Sequence, residues 1–312
     1  MISVFLLILP IYLLIGLGYA AVRSNYVAAS EIRGLGGIVL KLFMPAMMFL
    51  AIASSPISQV LRWDFILAYA GGSLTIYGLG FATARMAGRS FGDAAIEAMG
   101  MACSNSAYFG LPLATLVVGP QVALQAFALA VLVENLLMIP LAVSLCEAGQ
   151  GAGTGAIRKV ARGLIKSPLL IAALIGLGWS ISGLAMPDPV RAVLGMMAPV
   201  AAPVALLTIG GTVAELSLRT FGPGVLRVVP GKLIGHPLAV FAAFALVGTV
   251  PDQLRLAGVL TAAAPMLSIY ALFGQRFGRE GMTATALIVA TVLSFATISF
   301  GLVVIGAGFD AG

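Results

Sequence analysis

The run Met101-Ala-Cys-Ser-Asn-Ser-Ala-Tyr-Phe-Gly-Leu-Pro112 sets Ser104, Asn105 and Ser106 beside Gly110 and Pro112 in the middle of an otherwise apolar stretch. Proline removes a backbone donor and clashes with the preceding turn, and glycine loosens the same turn, so a helix through this run should break. A second run, Leu260-Thr-Ala-Ala-Ala-Pro-Met-Leu-Ser-Ile-Tyr270, carries Pro265 near its middle. Two half-helices meeting inside a membrane would aim positive dipole ends and unpaired N–H groups at one point, a seat suited to a carboxylate. A pair of proline-kinked packing helices is the alternative. Breaks at matched places, with Asn and Ser beside one of them, favour a binding site.

Four ionisable positions add chemistry, because charge inside an apolar span is costly. Glu134, followed by Asn135, stands near the middle of its stretch, beyond the reach of snorkelling. It is a candidate to bind and release a coupling proton, against a static hydrogen-bonded contact. Lys41 is either a snorkelling anchor or a counter-charge for an anion. Lys232 and His236, one turn apart, read first as structural or interfacial, with His236 kept as a coupling candidate. Asp93, Glu97 and Glu215 read as interfacial.

The elements that must position these residues follow from composition. The chain has 312 residues, 61% hydrophobic and 9% charged, with a mean hydropathy of +1.10. That excludes an ordinary soluble domain. Spanning a bilayer takes about 20 apolar residues per helix. Apolar runs fall at residues 2–22, 33–55, 65–84, 94–118 and 122–146, then at 168–186, 190–214, 224–250, 254–277 and 282–308. The first begins without a basic leader region and reads as a retained helix. The expected fold is therefore an all-α polytopic membrane protein of about ten transmembrane helices.

Charge placement orients them. Arg23, Arg85, Arg89, Arg158, Lys159, Arg162, Lys166, Arg219, Arg276 and Arg279 follow odd-numbered spans, whereas only Arg62, Arg191 and Arg255 follow even ones. Lys and Arg collect on the cytoplasmic side, so both termini should be periplasmic and the segment 147–167 a cytoplasmic linker. The net charge of +6 is spread over helix ends rather than clustered, which excludes a nucleic-acid partner. Cys103 and Cys146 give neither a disulfide framework nor metal-ligand spacing. No metal site, catalytic residue or cofactor is expected, apart from a proton or sodium as coupling ion. Gly16-Leu-Gly-Tyr-Ala-Ala21 lacks a preceding strand and reads as helix packing, not a dinucleotide loop.

A constant offset of 158 residues carries Pro10 to Pro168, Gly18 to Gly176, Gly37 to Gly195, Pro45 to Pro203 and Gly100 to Gly258. Residues 1–146 and 168–312 thus read as two repeats. An odd number of helices per repeat inverts the second copy, an arrangement suited to alternating access.

Asn105-Ser-Ala-Tyr-Phe-Gly-Leu-Pro112 resembles the Asn-Thr-Gly-x-x-Gly-x-Pro stretch of the auxin efflux carrier family, whose bacterial members include malonate and other organic-acid permeases. Lys41-Leu-Phe-Met-Pro45, Ala202-Pro-Val-Ala-Leu-Leu-Thr-Ile-Gly210 and Ala264-Pro265 running to Phe273-Gly-Gln-Arg-Phe-Gly278 are similar to further family stretches, in the same order along nearly the whole chain. The resemblance implies two inverted five-helix repeats whose broken fourth and ninth helices cross at the substrate site. It also implies a scaffold of helices 1, 2, 6 and 7, through which family members form homodimers, and a transport core of helices 3–5 and 8–10. The family's polar residue maps onto Asn105. Where bacterial relatives place an asparagine four residues after the proline, this chain has Ile269, flanked by Ser268 and Tyr270. The substrate-binding candidates are therefore Ser104, Asn105, Ser106, Gly110, Pro112, Pro265, Ser268, Ile269 and Tyr270, with Glu134, Asn135, Lys41 and His236 as coupling or counter-charge candidates.

The expected function is secondary active transport of a small mono- or dicarboxylate, malonate- or auxin-like, across the bacterial inner membrane. An elevator-type, proton-coupled cycle is the first reading. Sodium-coupled symport of the bile-acid symporter-like type is the alternative, with Ser104, Asn105, Ser106 and backbone carbonyls as a partial cage. A single histidine, with neither a His-Glu-x-x-His nor a Gly-x-Ser-x-Gly pattern, argues against an intramembrane enzyme. A channel fits inverted broken helices less well than a carrier.

Overall fold

A computed structural model describes residues 2–54, 62–149, 167–216 and 221–304. The linker cations Arg158, Lys159, Arg162 and Lys166, and also Arg219, lie outside the described residues. Among the described residues there are twelve helices and no strand. These are α1 (Ile2–Arg23), α2 (Ala29–Ala53), α3 (Trp63–Met86), α4 (Phe91–Ala102), α5 (Ser106–Val118) and α6 (Pro120–Ala148). They continue with α7 (Pro168–Ser182), α8 (Asp188–Glu215), α9 (Pro223–Val247), α10 (Asp252–Ala263), α11 (Tyr270–Arg276) and α12 (Glu280–Val304). Seven of them, α1, α2, α3, α6, α8, α9 and α12, are long and apolar enough to cross a membrane. Leucines such as Leu13, Leu17, Leu67 and Leu238 stay exposed along them, as expected where lipid is the solvent. The chain is a multi-pass membrane protein.

Four of these helices widen by one residue in a π turn, at Val39–Phe43, Ser106–Gly110, Glu134–Met138 and Gly231–Gly235. Each wide turn is followed at the same distance by a proline, namely Pro45, Pro112, Pro140 and Pro237. Widening moves the carbonyl that the proline ring would strike and absorbs the missing N–H, so the helix continues past the proline. Lys41, Ser106, Glu134 and Lys232 all lie in these turns. The pattern thus carries four of the chain's polar or charged residues into its apolar helices.

Glycines set the closest helix contacts. A Cβ at Gly18 of α1 would meet the Leu207 carbonyl oxygen of α8 at 2.0 Å, and one at Gly210 of α8 would meet the Ile15 oxygen of α1 at 1.9 Å. Gly176 of α7 lies in the same way against α2, where a Cβ would stand 3.2 Å from the Phe49 carbonyl oxygen. Backbones approach this closely only through small residues, the usual device of helix packing in lipid. On the other side of the molecule, Gly72 of α3 packs on the backbone of Val240 in α9.

Ion pairs, partly buried on their carboxylate side, link α4, α6, α9 and the end of α11. Glu97 accepts two bonds from Arg227, both 2.9 Å, and lies 3.4 Å from Arg89. Arg276 pairs with Glu147, and Arg279 with Asp93. Glu97 is therefore a buried carboxylate inside an ion-pair cluster, not the solvated interfacial charge its sequence position suggests.

Candidate functional site

Helix α4 stops at Ala102 and α10 at Ala263, and the two interruptions meet. Cys103 is extended, and Ser104 forms an isolated antiparallel bridge with Met266. The Asn105 N–H donates to the Pro265 carbonyl at 2.8 Å, and the Leu267 N–H to the Cys103 carbonyl at 3.3 Å. Each break thus satisfies backbone groups that the other leaves open. Unwound chain survives among apolar helices only when covered in this way.

Asn105 restarts the chain into α5. Its Oδ1 accepts the Tyr108 N–H at 3.3 Å, and its carbonyl accepts the N–H groups of Phe109 and Gly110 at 3.0 and 2.9 Å. Its Nδ2 donates to Ser268 Oγ at 2.7 Å, joining the side chains of the two breaks. The hydroxyl of Tyr108 donates to the Gly36 carbonyl of α2 at 3.0 Å, which links this break to a different group of helices.

Ser104 and Ser106, on either side of Asn105, face opposite charges. Lys232 lies wholly buried in the wide turn of α9, and its Nζ donates to Ser104 Oγ at 2.5 Å and to the Ala262 carbonyl at 2.8 Å. The third partner is His236 Nδ1, at 2.8 Å. With Lys232 as an ammonium, which has three donors and no acceptor, His236 Nδ1 is the acceptor of this contact. Its proton therefore sits on Nε2, which donates to Ser73 Oγ of α3 at 2.9 Å. On the other side, Ser106 Oγ donates to Glu134 Oε1 at 2.6 Å, and Tyr69 OH to the same oxygen at 3.2 Å. Tyr69 also sets its ring edge-on to His236, 6.1 Å between centroids, connecting the two halves of the cluster. Such a network, closed on itself in a low dielectric, is rigid and costly to break.

The structure brings together Ser104, Asn105, Ser106, Pro265, Ser268, Glu134 and His236. Gly110 and Pro112 lie buried at the start of α5, with Gly110 against Thr261 of α10. Ile269 is 47% exposed and Ser268 half-buried, so they form the open side of the second break. Tyr270 turns inward instead. Its ring fills the space left by Gly100, and its hydroxyl donates to the Ile96 carbonyl at 2.9 Å, which braces α11 against α4. Lys41 is exposed on α2 and Asn135 half-buried on α6, and neither joins the hydrogen bonds of the cluster.

Lys232, Tyr69 and Ser73 are the members that sequence reasoning underrated or missed. Lys232 and His236 share a helix face by their spacing, and Pro237 follows Lys232 much as Pro140 follows Glu134. That recurrence was the available signal. Tyr69 and Ser73 carry none, because isolated hydroxyls are frequent in apolar helices.

A family model described as membrane transport protein matches residues 3–302. A protein of Rhizobium meliloti (strain 1021) named "Putative malonate transporter" is 28% identical over 308 residues, 97% of this chain and 96% of that one. The matched region takes in both helix breaks and every helix that carries the polar cluster, and on that extent the chain belongs to the membrane transport protein family, the auxin efflux carrier family.

Proposed function

We propose that this membrane transporter is a secondary carrier of a small organic anion, a mono- or dicarboxylate such as malonate, working by alternating access. The observation that carries the reading is the junction of two helix breaks around a buried ammonium. Ser268 and Ile269 form its more open edge, Asn105 is buried against Ser268, and Lys232 supplies positive charge behind them. The name of the Rhizobium relative agrees with a dicarboxylate cargo. The proton is the coupling ion in this reading, with Glu134 as its carrier, because Glu134 touches the first break through Ser106.

The cycle we infer moves α3–α6 and α9–α12 as a body against a scaffold of α1, α2, α7 and α8, in two inverted repeats of residues 1–146 and 168–312 joined by the linker 147–167. Support comes from two matched close approaches. Gly18 packs on Leu207 and Gly176 on Phe49, and the offset of 158 residues carries Gly18 to Gly176 and Phe49 to Leu207. The ion pairs of Asp93, Glu97 and Glu147 would hold the moving body together. A homodimer through the scaffold, residence in the bacterial inner membrane and periplasmic termini complete the proposal.

The test is uptake of labelled malonate into proteoliposomes under an imposed proton gradient or an imposed sodium gradient. Uptake driven by the proton gradient alone is expected. Thermal stabilisation by amines or neutral solutes, with none by mono- or dicarboxylates, would overturn the substrate class.

A further inference from the structure

Helix α10 ends at Ala263, so the Ala262 carbonyl has no helical partner ahead of it and lies at the negative end of the half-helix dipole. Freed carbonyls and hydroxyls at such a break are what a transported or coupled cation would use as ligands. Here that place is filled by the protein itself. Lys232 Nζ takes the Ala262 carbonyl from the second break, Ser104 Oγ from the first and His236 Nδ1 from its own helix, at 2.8, 2.5 and 2.8 Å. All three ammonium donors are spent on the protein, and both Lys232 and His236 are completely buried. Glu134 lies across the same break, bonded to Ser106, two residues from the Ser104 that accepts from Lys232. The ammonium thus joins three helices and offsets a carboxylate, the work that a bound sodium would do.

We propose that the Lys232 ammonium is a resident cation tethered to α9, which holds the position a free monovalent cation would otherwise occupy and makes the carrier independent of sodium. Shortening Lys232 should then open a small cation site lined by Ser104 Oγ, the Ala262 carbonyl and His236 Nδ1. Charge, donor number and size all favour methylammonium there, and sodium next. The proposal rests on the breaks being the transport site only where transport is the readout.

The experiment is thermal unfolding of the purified full-length protein and of Lys232→Ala in choline, sodium and methylammonium chlorides at equal ionic strength. Wild type should unfold at the same temperature in all three. The variant should unfold several degrees earlier in choline and recover selectively in methylammonium or sodium, because a ligand bound only to the folded state raises stability by mass action. Specific stabilisation of the wild type by sodium would overturn the proposal, and this arm holds even if the variant does not fold. So would a variant as stable in choline as wild type, or one that no small cation restores. In proteoliposomes, wild-type malonate uptake should be unchanged when choline replaces sodium. Uptake by Lys232→Ala should fall about tenfold or more and return with methylammonium. If the wild type carries no malonate, the function reading fails, and the unfolding arms still decide the resident cation.

Discussion

Asn105 Nδ2 donates to Ser268 Oγ at 2.7 Å, so one amide holds two interrupted helices together. The same side chain caps α5 through the Tyr108 N–H. Its sequence position suggests a group that holds the carboxylate or polarises the break, whose loss would leave stability intact. The structure gives the amide two internal partners as well. Asn105→Ala should therefore cost about 1–2 kcal/mol of stability and also abolish the thermal shift produced by carboxylates. Unchanged stability together with an unchanged shift would show that the break does not depend on this residue.

Glu134 offers one oxygen to two donors, Ser106 and Tyr69. Glutamine keeps that acceptor and removes the titrating proton together with the negative charge that faces Lys232. Glu134→Gln should cost about 1–3 kcal/mol, because the buried Lys232 loses its counter-charge, while losing the acceleration of uptake by an inward proton gradient. Glu134→Ala leaves two buried hydroxyls without their acceptor and should be the less stable of the two. Proton-driven uptake that persists in the glutamine variant would remove Glu134 from the coupling role.

The close approach of α1 and α8 predicts a sharp contrast among glycines. Gly210→Ala must push the two backbones apart, at a cost of about 1–3 kcal/mol or more. Gly16 and Gly195 have no atom within 4 Å of an added Cβ, so alanine there should be neutral or raise stability by about 0.5–1 kcal/mol through helix propensity. Thermal unfolding in detergent of the three variants measures the difference directly. Equal effects at all three would mean that the α1–α8 contact is loose.

Glu97 is buried between Arg227 and Arg89. Arg227→Met leaves that carboxylate with Arg89 alone, at 3.4 Å, and should destabilise by about 1–3 kcal/mol, and the added change Glu97→Gln should restore part of the loss. Arg255→Ala is the control, because its partner Asp252 is 87% exposed and such pairs contribute at most about 1 kcal/mol. A neutral Arg227→Met would show that Arg89 alone satisfies Glu97.

Much of this protein follows from composition and punctuation. Long apolar stretches in a chain of this length read as membrane helices, and Pro265 in mid-stretch marks a break, whereas Pro112 lies inside α5 behind its wide turn and the first break falls upstream, after Ala102. Glu134 could be singled out because a carboxyl so far from any helix end has no route to water. The family resemblance rested in the same way on residues local in sequence, such as Asn105 through Pro112.

Partnership between distant segments was a different matter. Lys232 and His236 look interfacial in sequence because their helix, α9, carries Arg227 one turn before and Pro237 just after. Only the folded chain brings Ser104, from a break far away in sequence, against that lysine. Tyr270 stands beside the second break in sequence, yet Gly100 leaves a hollow that draws its ring inward to Ile96. Periodicity and proline report what a segment does to its own backbone. Which buried donor meets which acceptor depends on helix rotation and close approach, and these are set by contacts such as Gly210 on Ile15, which exist only in the tertiary structure.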